Sequence, residues 1–126
     1  MNFEKAMVAE LSSITGLSGK CFPLIAPQGT SGPFIVYRKR SIEHTKTLDG
    51  FMGKYNASYE VVVIANAYDD LQDLVDLVTD KFKSFLWRAI GTGGPLVENM
   101  GLTHNGDTYE AEAELYRADL SLEVKY

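Results

Sequence analysis

Apolar residues recur at helical spacing in two segments of the chain. The first segment follows Asn2, which can cap a helix, and ends before Gly16, which favours a left-handed cap. Its apolar residues fall on one stripe: Phe3, Met7, Leu11 and Ile14. The second segment opens with the capping-box pair Asp69 and Gln72 and stops at Gly91. Its stripe is longer: Leu71, Leu74, Val75, Val78, Phe82, Phe85 and Leu86. These patterns predict two amphipathic helices.

Between the two helices, the pattern of apolar residues is typical of strands. Pro23 and Pro27 limit the first apolar run to a short edge strand, because proline lacks an N–H donor. A second strand is predicted from Phe34 to Ile42. The third, from Tyr55 to Ala67, is apolar on both faces, which suits a central strand that helices cover on at least one side. The polar segment from Glu43 to Lys54 is predicted to be a long hairpin loop.

The C-terminal part of the chain predicts one further hairpin. Its strands are residues 96–103 and 107–126, and Asn105-Gly106 between them is a common two-residue hairpin turn. The apolar positions of the last strand change parity at Leu115-Tyr116, which predicts a β-bulge there. The glycines of residues 91–95 follow a helix rather than a strand, so we expect a linker and not a phosphate-binding loop.

The order of these elements, α-β-β-β-α-β-β, predicts an α+β fold. We expect an antiparallel β-sheet of about four to five strands packed with two α-helices in a single domain, residues 1–126. The apolar fraction of 45% and the charged fraction of 23% are ordinary for a globular protein. Cys21 is the single cysteine, which excludes an intrachain disulfide. With no signal-peptide pattern and no apolar run of ~18 residues, we expect a cytoplasmic protein without a membrane partner.

The reactive side chains do not predict a catalytic site. His44 lies in the predicted loop, and His104 lies beside the predicted turn without a second histidine at ligand spacing. A metal site or general base built from His104 and Asp107 is the alternative to a turn that merely contains a histidine. The serines lack a nucleophile-elbow pattern. We therefore expect no enzyme activity, no metal and no cofactor.

The charge of the chain is unevenly distributed. The net charge of −5 at pH 7 argues against a nucleic-acid-binding domain. Residues 33–54 nevertheless carry five basic against two acidic side chains, and residues 107–126 carry six acidic against two basic. The basic run 38–40 is typical of edge-strand protection, with a phosphate-contacting patch as the alternative. The glutamates at alternate positions of residues 110–114 are typical of a solvated strand face.

Residues 3 to about 90 carry a series of short motifs in a fixed order. They are an amphipathic helix over residues 3–14, Phe22-Pro23-Leu24-Ile25-Ala26-Pro27-Gln28-Gly29, the proline-opened strand 33–37, Leu48-Asp49-Gly50, and a strand that runs through Val61 to Ala67 into Tyr68-Asp69-Asp70. Together they resemble the tail-completion proteins of long-tailed bacteriophages, also called tail terminators or head-to-tail joining proteins. In the C-terminal part of the chain, the resemblance to these minor tail proteins is limited to the presence of a hairpin.

The resemblance implies a structural virion protein without a cofactor. Members form a ring, typically of six subunits, that ends the tail tube and joins tail to head. The implied partners are further copies of the chain, the major tail-tube protein and a head-completion or neck protein, with DNA passing through the ring. The implied location is the virion after assembly in the host cytoplasm. The alternatives are a head-side neck adaptor and a small cytoplasmic α+β ligand-binding domain or enzyme subunit.

The uneven charge suggests how subunits of such a ring would meet. A ring uses a heterologous interface, in which two different patches of one subunit meet on neighbours, and opposite charges favour its register. We predict that a basic hairpin faces an acidic strand of the next subunit: Arg38, Lys39, Arg40 and Lys46 against Glu110, Glu112, Glu114 and Asp119. The alternative is that the acidic residues line the channel of the ring. Phe51 and Met52, apolar residues in the predicted loop, suggest that a partner orders this otherwise mobile segment.

Overall fold

The elements of the fold follow the predicted order. The computed structural model describes residues 2–14, 16–27, 30, 32–47, 50–111 and 114–126, without the side chains of residues 45–47 and 50–53. The elements are α1 (Phe3–Ser12), β1 (Cys21–Pro23), β2 (Phe34–Thr47), β3 (Gly50–Ala65), α2 (Tyr68–Lys83), β4 (Asn99–Glu110) and β5 (Leu115–Lys125). The α+β class and the order α-β-β-β-α-β-β are confirmed.

The five strands form one sheet in the order β1-β2-β3-β5-β4. Three of the four strand pairs are antiparallel, whereas β1 pairs with β2 in parallel, with Cys21 opposite Ile35. The sheet is therefore mixed rather than wholly antiparallel. A short edge strand is present, but β1 covers residues 21–23, so its predicted place between Pro23 and Pro27 is wrong. β3 is the central strand.

Both helices pack on one face of the sheet and form a single core. The buried residues of the strands alternate, as on β3 with Tyr59, Val61, Val63 and Ala65 and on β5 with Ala118, Leu120, Leu122 and Val124. They meet the apolar stripes of the helices: Phe3, Ala6, Met7 and Leu11 on α1 and Leu71, Leu74, Val75, Val78 and Phe82 on α2. We call this face the covered face and the other side the open face.

The helix termini agree only in part with the capping predictions. The side chain of Asn2 accepts a hydrogen bond from the backbone N–H of Lys5 at 2.8 Å, as expected of an N-cap. The prediction of a capping box by Asp69 and Gln72 is wrong, because the N-cap of α2 is Ala67, two residues earlier, and Asp69 lies inside the first turn. There its negative charge still favours the positive helix end. Beyond α2, the side chain of Arg88 donates to Glu10 and ties the chain to α1.

The loop prediction for Glu43–Lys54 is wrong, because paired strands occupy most of this segment. β2 continues to Thr47 and β3 begins at Gly50, and these two residues are partners in the sheet. Residues 50–55 of β3 precede the stretch that pairs with β5, which starts at Asn56. This hairpin therefore extends beyond the part of β3 that pairs with β5. Strands in that position can be polar on both faces, so their sequence does not differ from that of a loop.

The C-terminal hairpin reverses later than predicted. The prediction of a turn at Asn105-Gly106 is wrong. β4 continues through these two residues to Glu110, with a register shift between His104 and Gly106. Gly106 has a φ of +132°, and an Asn-Gly pair suits a bulge and a turn equally, because both need positive φ. The chain instead reverses between Glu110 and Leu115.

This later reversal also overturns the predicted bulge at Leu115-Tyr116. Ala111 and Leu115 do not belong to one strand, so the change of parity marks the end of one strand and the start of the next. The predicted strand of residues 96–103 is likewise displaced. Leu96 and Val97 form isolated bridges with the segment after α2, and β4 starts only at Asn99.

Candidate interaction surfaces

The open face of the sheet carries apolar side chains between ion pairs. Phe34 and Val36 of β2 lie opposite Ile64 and Val62 of β3. Two residues further along β2, Arg38 lies opposite Glu60 and donates to its carboxylate at 2.7 Å. Each member of this pair already has a partner within the chain, and the arginine is the more exposed of the two side chains.

Two acidic residues of the last hairpin share one arginine in an ion-pair network. Arg117 lies 2.9 Å from Asp119 and 3.3 Å from Glu110. Glu114 is exposed and has a φ of +53° at the reversal between β4 and β5. Glu112 lies outside the described residues. The acidic character predicted from the sequence is therefore concentrated where β4 turns into β5, and we call Tyr109, Glu110 and Glu114 the acidic tip.

The basic residues of β2 are distributed over both faces. Lys39 is on the covered face, where its ammonium lies 3.6 Å from Glu4 of α1. Arg40 is the extra residue of a bulge, because Lys39 and Ser41 oppose consecutive residues of β3, and it is exposed. The other predicted interaction residues of this hairpin, Lys46, Phe51 and Met52, have side chains outside the described set.

The segment after β1 holds two large apolar side chains in solvent. Leu24 is 71% exposed and Ile25 is 80% exposed, between Pro23 and Pro27. Leu24 has a φ of +66°, an unfavourable conformation for a large side chain, and its N–H donates to the carbonyl of Tyr37 at 2.8 Å. We call these two residues the apolar knob. The spacing of the prolines predicted a strand end here, but nothing in the sequence predicted the strained backbone.

A cleft of about 500 Å³ opens on the covered face beyond the first turn of α1. Its floor consists of aromatic rings: the Phe3 ring stacks on that of Tyr126 with centroids 4.8 Å apart, and Tyr59 and Tyr55 lie 5.3 Å from Phe3 and 5.4 Å from Tyr126, respectively. Further lining residues are Asn2, Glu4, Lys39, Ile42, Lys54, Pro95 and Leu96. We call this site the aromatic cleft. Its volume is within the range of ligand pockets and has room for a large side chain.

The aromatic cleft has an uncharged floor and a charged rim. Burial raises the pKa of the Tyr59 and Tyr126 hydroxyls above their usual value, so both remain neutral at physiological pH. On the rim, Lys54 donates to Glu98 at 2.8 Å, and this hydrogen bond lowers the pKa of the Glu98 carboxyl. Lys39 and its partner Glu4 form the other side.

Exposed apolar residues continue from the aromatic cleft toward the end of α2. The backbone of Ala89 pairs with Leu96, and the N–H of Trp87 donates to the carbonyl of Val97 at 2.7 Å. Trp87 has a φ of +59° and is mostly exposed, as is a large part of Leu86. Tryptophan is enriched at the energetic centres of protein interfaces, so this strip is a candidate contact surface.

His104 and Asp107, the alternative prediction for a reactive site, lie within hydrogen-bonding distance of each other. The ring nitrogen Nε2 of His104 lies 2.9 Å from Asp107 Oδ1, and the Tyr68 hydroxyl donates to Oδ2 at 2.9 Å. The hydrogen bond to Asp107 raises the pKa of Tyr68. These contacts connect the start of α2 to the bulge of β4. In the described part of the chain, no three His, Cys, Asp or Glu side chains are placed to hold a metal ion.

Two further properties bear on the class of partner. No helix within the described residues has the length and apolar content needed to cross a membrane. The aromatic cleft combines residues from both ends and the middle of the chain, such as Phe3, Tyr59 and Tyr126. No local sequence pattern predicts such a site, because its members are brought together only by the packing of α1 on the sheet.

Comparison with known proteins identifies the fold. No family model matches the chain, and no curated protein matches it. Among solved structures, a chain in the virion of a native gene transfer agent (GTA) particle is similar, with a TM-score of 0.70. The match covers 98% of this chain and 92% of that chain at 11% sequence identity. At this identity, the likeness shows a shared fold.

Proposed function

We propose that this chain is a structural protein of a long-tailed phage or phage-like virion, where its copies form a ring that ends the tail tube and joins the tail to the head. The observation that carries the proposal is the fold shared with a chain of the gene transfer agent virion over nearly the full length of both chains. Such coverage means that the similarity extends to the arrangement of all elements and is not limited to one supersecondary motif.

The role within the virion is inferred from the motifs of residues 3 to about 90, which resemble those of tail terminators. A ring subunit needs two different surfaces that contact its neighbours and further surfaces for the tube and the head. The chain offers the apolar knob, the aromatic cleft and the acidic tip as separate surfaces. The proposed partners are other copies, six in the ring, the major tail-tube protein and a head-completion or neck protein, all located in the virion.

The proposal assigns no enzymatic step to the chain. Its best candidate for reactive chemistry, the group of His104, Asp107 and Tyr68, is engaged in mutual hydrogen bonds that join two structural elements. Several ion pairs among the described residues join different parts of the fold, such as Arg38 with Glu60 and Arg88 with Glu10. These are arrangements expected of a rigid structural subunit, which requires no cofactor.

The test is a tube-capping experiment. The major tail-tube protein from the same phage or prophage is polymerised with and without the purified chain, and tube lengths are measured by negative-stain electron microscopy. We expect the chain to bind one end of each tube as a ring and to stop elongation. Tubes that keep growing without end-bound rings would contradict the proposal. Binding to isolated heads in place of tubes would identify a head-side adaptor.

A further inference from the structure

The acidic tip carries an aromatic side chain on the covered face and a carboxylate on the open face, because Tyr109 lies opposite Tyr116 whereas the next residue, Glu110, lies opposite Leu115. Tyr109 is 50% exposed, and its ring lies 4.8 Å from Tyr116, which in turn lies 5.8 Å from Tyr68. A ring held by such neighbours loses little conformational freedom when a partner covers it. Glu110 is close to Arg117, but the guanidinium of Arg117 lies nearer to Asp119 than to Glu110. Because one arginine is shared by two carboxylates, the tip retains negative charge.

The aromatic cleft has the complementary character. On its rim, the side chains of Lys39 and Lys54 are 44% and 38% exposed, whereas those of their partners Glu4 and Glu98 are 32% and 27% exposed. The ammonium groups are therefore the more accessible charges at the entrance. Below them lies the neutral aromatic floor. An entering group that combines an aromatic ring with carboxylates would satisfy both parts of the site.

The acidic tip and the aromatic cleft lie at opposite ends of the sheet. At the cleft end, Asn56 of β3 pairs with Lys125 of β5, and at the tip end Ala65 pairs with Tyr116. Nine residue steps along a strand span about 30 Å. The tip of one chain therefore does not reach the cleft of the same chain.

We propose that the acidic tip of one copy docks into the aromatic cleft of the next, with Tyr109 against the ring of Tyr126 and with Glu110 and Glu114 near the lysines of the rim. The inference rests on the proposed self-assembly and names the surfaces that carry it. The two patches differ, so the contact is heterologous and propagates from copy to copy until the ring closes.

The apolar knob fits the aromatic cleft less well. Leu24 and Ile25 have the apolar character that the floor requires. However, the charged pair beside them on the open face is Arg38 with Glu60, in which the arginine is 58% exposed and the glutamate 29%. The accessible charge near the knob has the same sign as the rim of the cleft. Charge complementarity therefore favours the acidic tip.

The test is disulfide trapping between copies in a Cys21→Ser background. Ala111→Cys, an exposed position beside the tip that leaves Tyr109 in place, is made on one preparation and mixed with Leu96→Cys on another, and the mixture is mildly oxidised. Mass spectrometry distinguishes the mixed dimer from each homodimer. We expect the mixed dimer to exceed severalfold the product of a matched control, Ala111→Cys with Leu77→Cys, because Leu77 is exposed on α2 but does not line the cleft.

Charge reversal adds a second readout. We expect Glu110→Lys with Glu114→Lys on the Ala111→Cys copy to lower the mixed-dimer yield, and Lys39→Glu with Lys54→Glu on the other copy to restore it. A yield no higher than that of the control pair would overturn the inference. Preferential linkage of Leu24→Cys to Leu96→Cys would also overturn it, because the knob would then be the occupant. Tube capping without specific trapping would refute this interface alone, and trapping without capping would refute the proposed function.

Discussion

The two ends of the sheet differ in how the helices cover them. At the cleft end, the hairpin of β2 and β3 extends beyond its neighbours, and the first turn of α1 leaves Tyr55 and Tyr126 only half-buried. At the tip end, the first turn of α2 is tied to β4 by the hydrogen bond from Tyr68 to Asp107. One end is therefore a concave aromatic site rimmed by lysines, and the other is a projection that carries acidic residues. A contact between two such unlike ends is heterologous, which is the head-to-tail association proposed above.

The largest expected difference between the ends concerns aromatic truncation. Phe3 is 1% exposed and contacts Tyr59 and Tyr126, so we expect Phe3→Ala to lower the free energy of unfolding by about 3–5 kcal/mol. Tyr109→Ala at the tip end removes a half-exposed ring and should cost less than about 1 kcal/mol. Urea denaturation of both variants measures the two values. If Phe3→Ala lowered the free energy of unfolding as little as Tyr109→Ala does, the cleft floor would not be part of the core.

A second difference concerns the backbone that shapes the cleft. A Cβ on Gly94 would lie 2.0 Å from the carbonyl oxygen of Ile90 and 2.8 Å from the Cβ of Ala6. Because the linker would have to move away from α1, we expect Gly94→Ala to destabilise the fold by about 2–3 kcal/mol and to displace Leu96 from the cleft. The matched control is Gly101→Ala on β4, where a Cβ meets nothing within 4 Å. A stable Gly94→Ala variant would contradict the close packing of linker and helix.

The smallest expected difference is a dependence on alkaline pH. Burial raises the pKa of Tyr59 above its unfolded value of about 10, so its neutral form is stabilised by folding. That contribution is fully present below the unfolded pKa and is lost as the pH rises toward the folded pKa. We expect the free energy of unfolding to fall above pH ~10, and to fall less in Tyr59→Phe. A Tyr68→Phe variant with the larger effect would place the main alkaline sensitivity at the tip end instead.

The sequence predicted the parts of the fold that helices cover. The stripe on α2 and the apolar run from Tyr59 to Ala65 identified a helix and the central strand, because burial imposes a strict periodicity on both. The pattern failed at the polar ends of the hairpins: polar strands beyond the core resembled a loop, and Asn105-Gly106 suited a bulge as well as a turn.

The candidate interaction surfaces were predicted only in part. Uneven charge indicated an acidic region and a basic region, and the acidic tip lies within the first. The ion pairs of Arg38 with Glu60 and of Glu110 with Arg117 were not foreseen, because the partners lie on neighbouring strands. The aromatic cleft was missed altogether, since its floor depends on the contact between α1 and the far end of the sheet.

The most direct test of the account is the native mass of the purified chain measured across protein concentration. A self-assembling ring subunit with unlike ends predicts one discrete closed oligomer, of six copies, that forms as the concentration rises and is visible as a ring by negative-stain imaging. A chain that remains monomeric at every concentration, both alone and in the presence of tail tubes, would contradict the account.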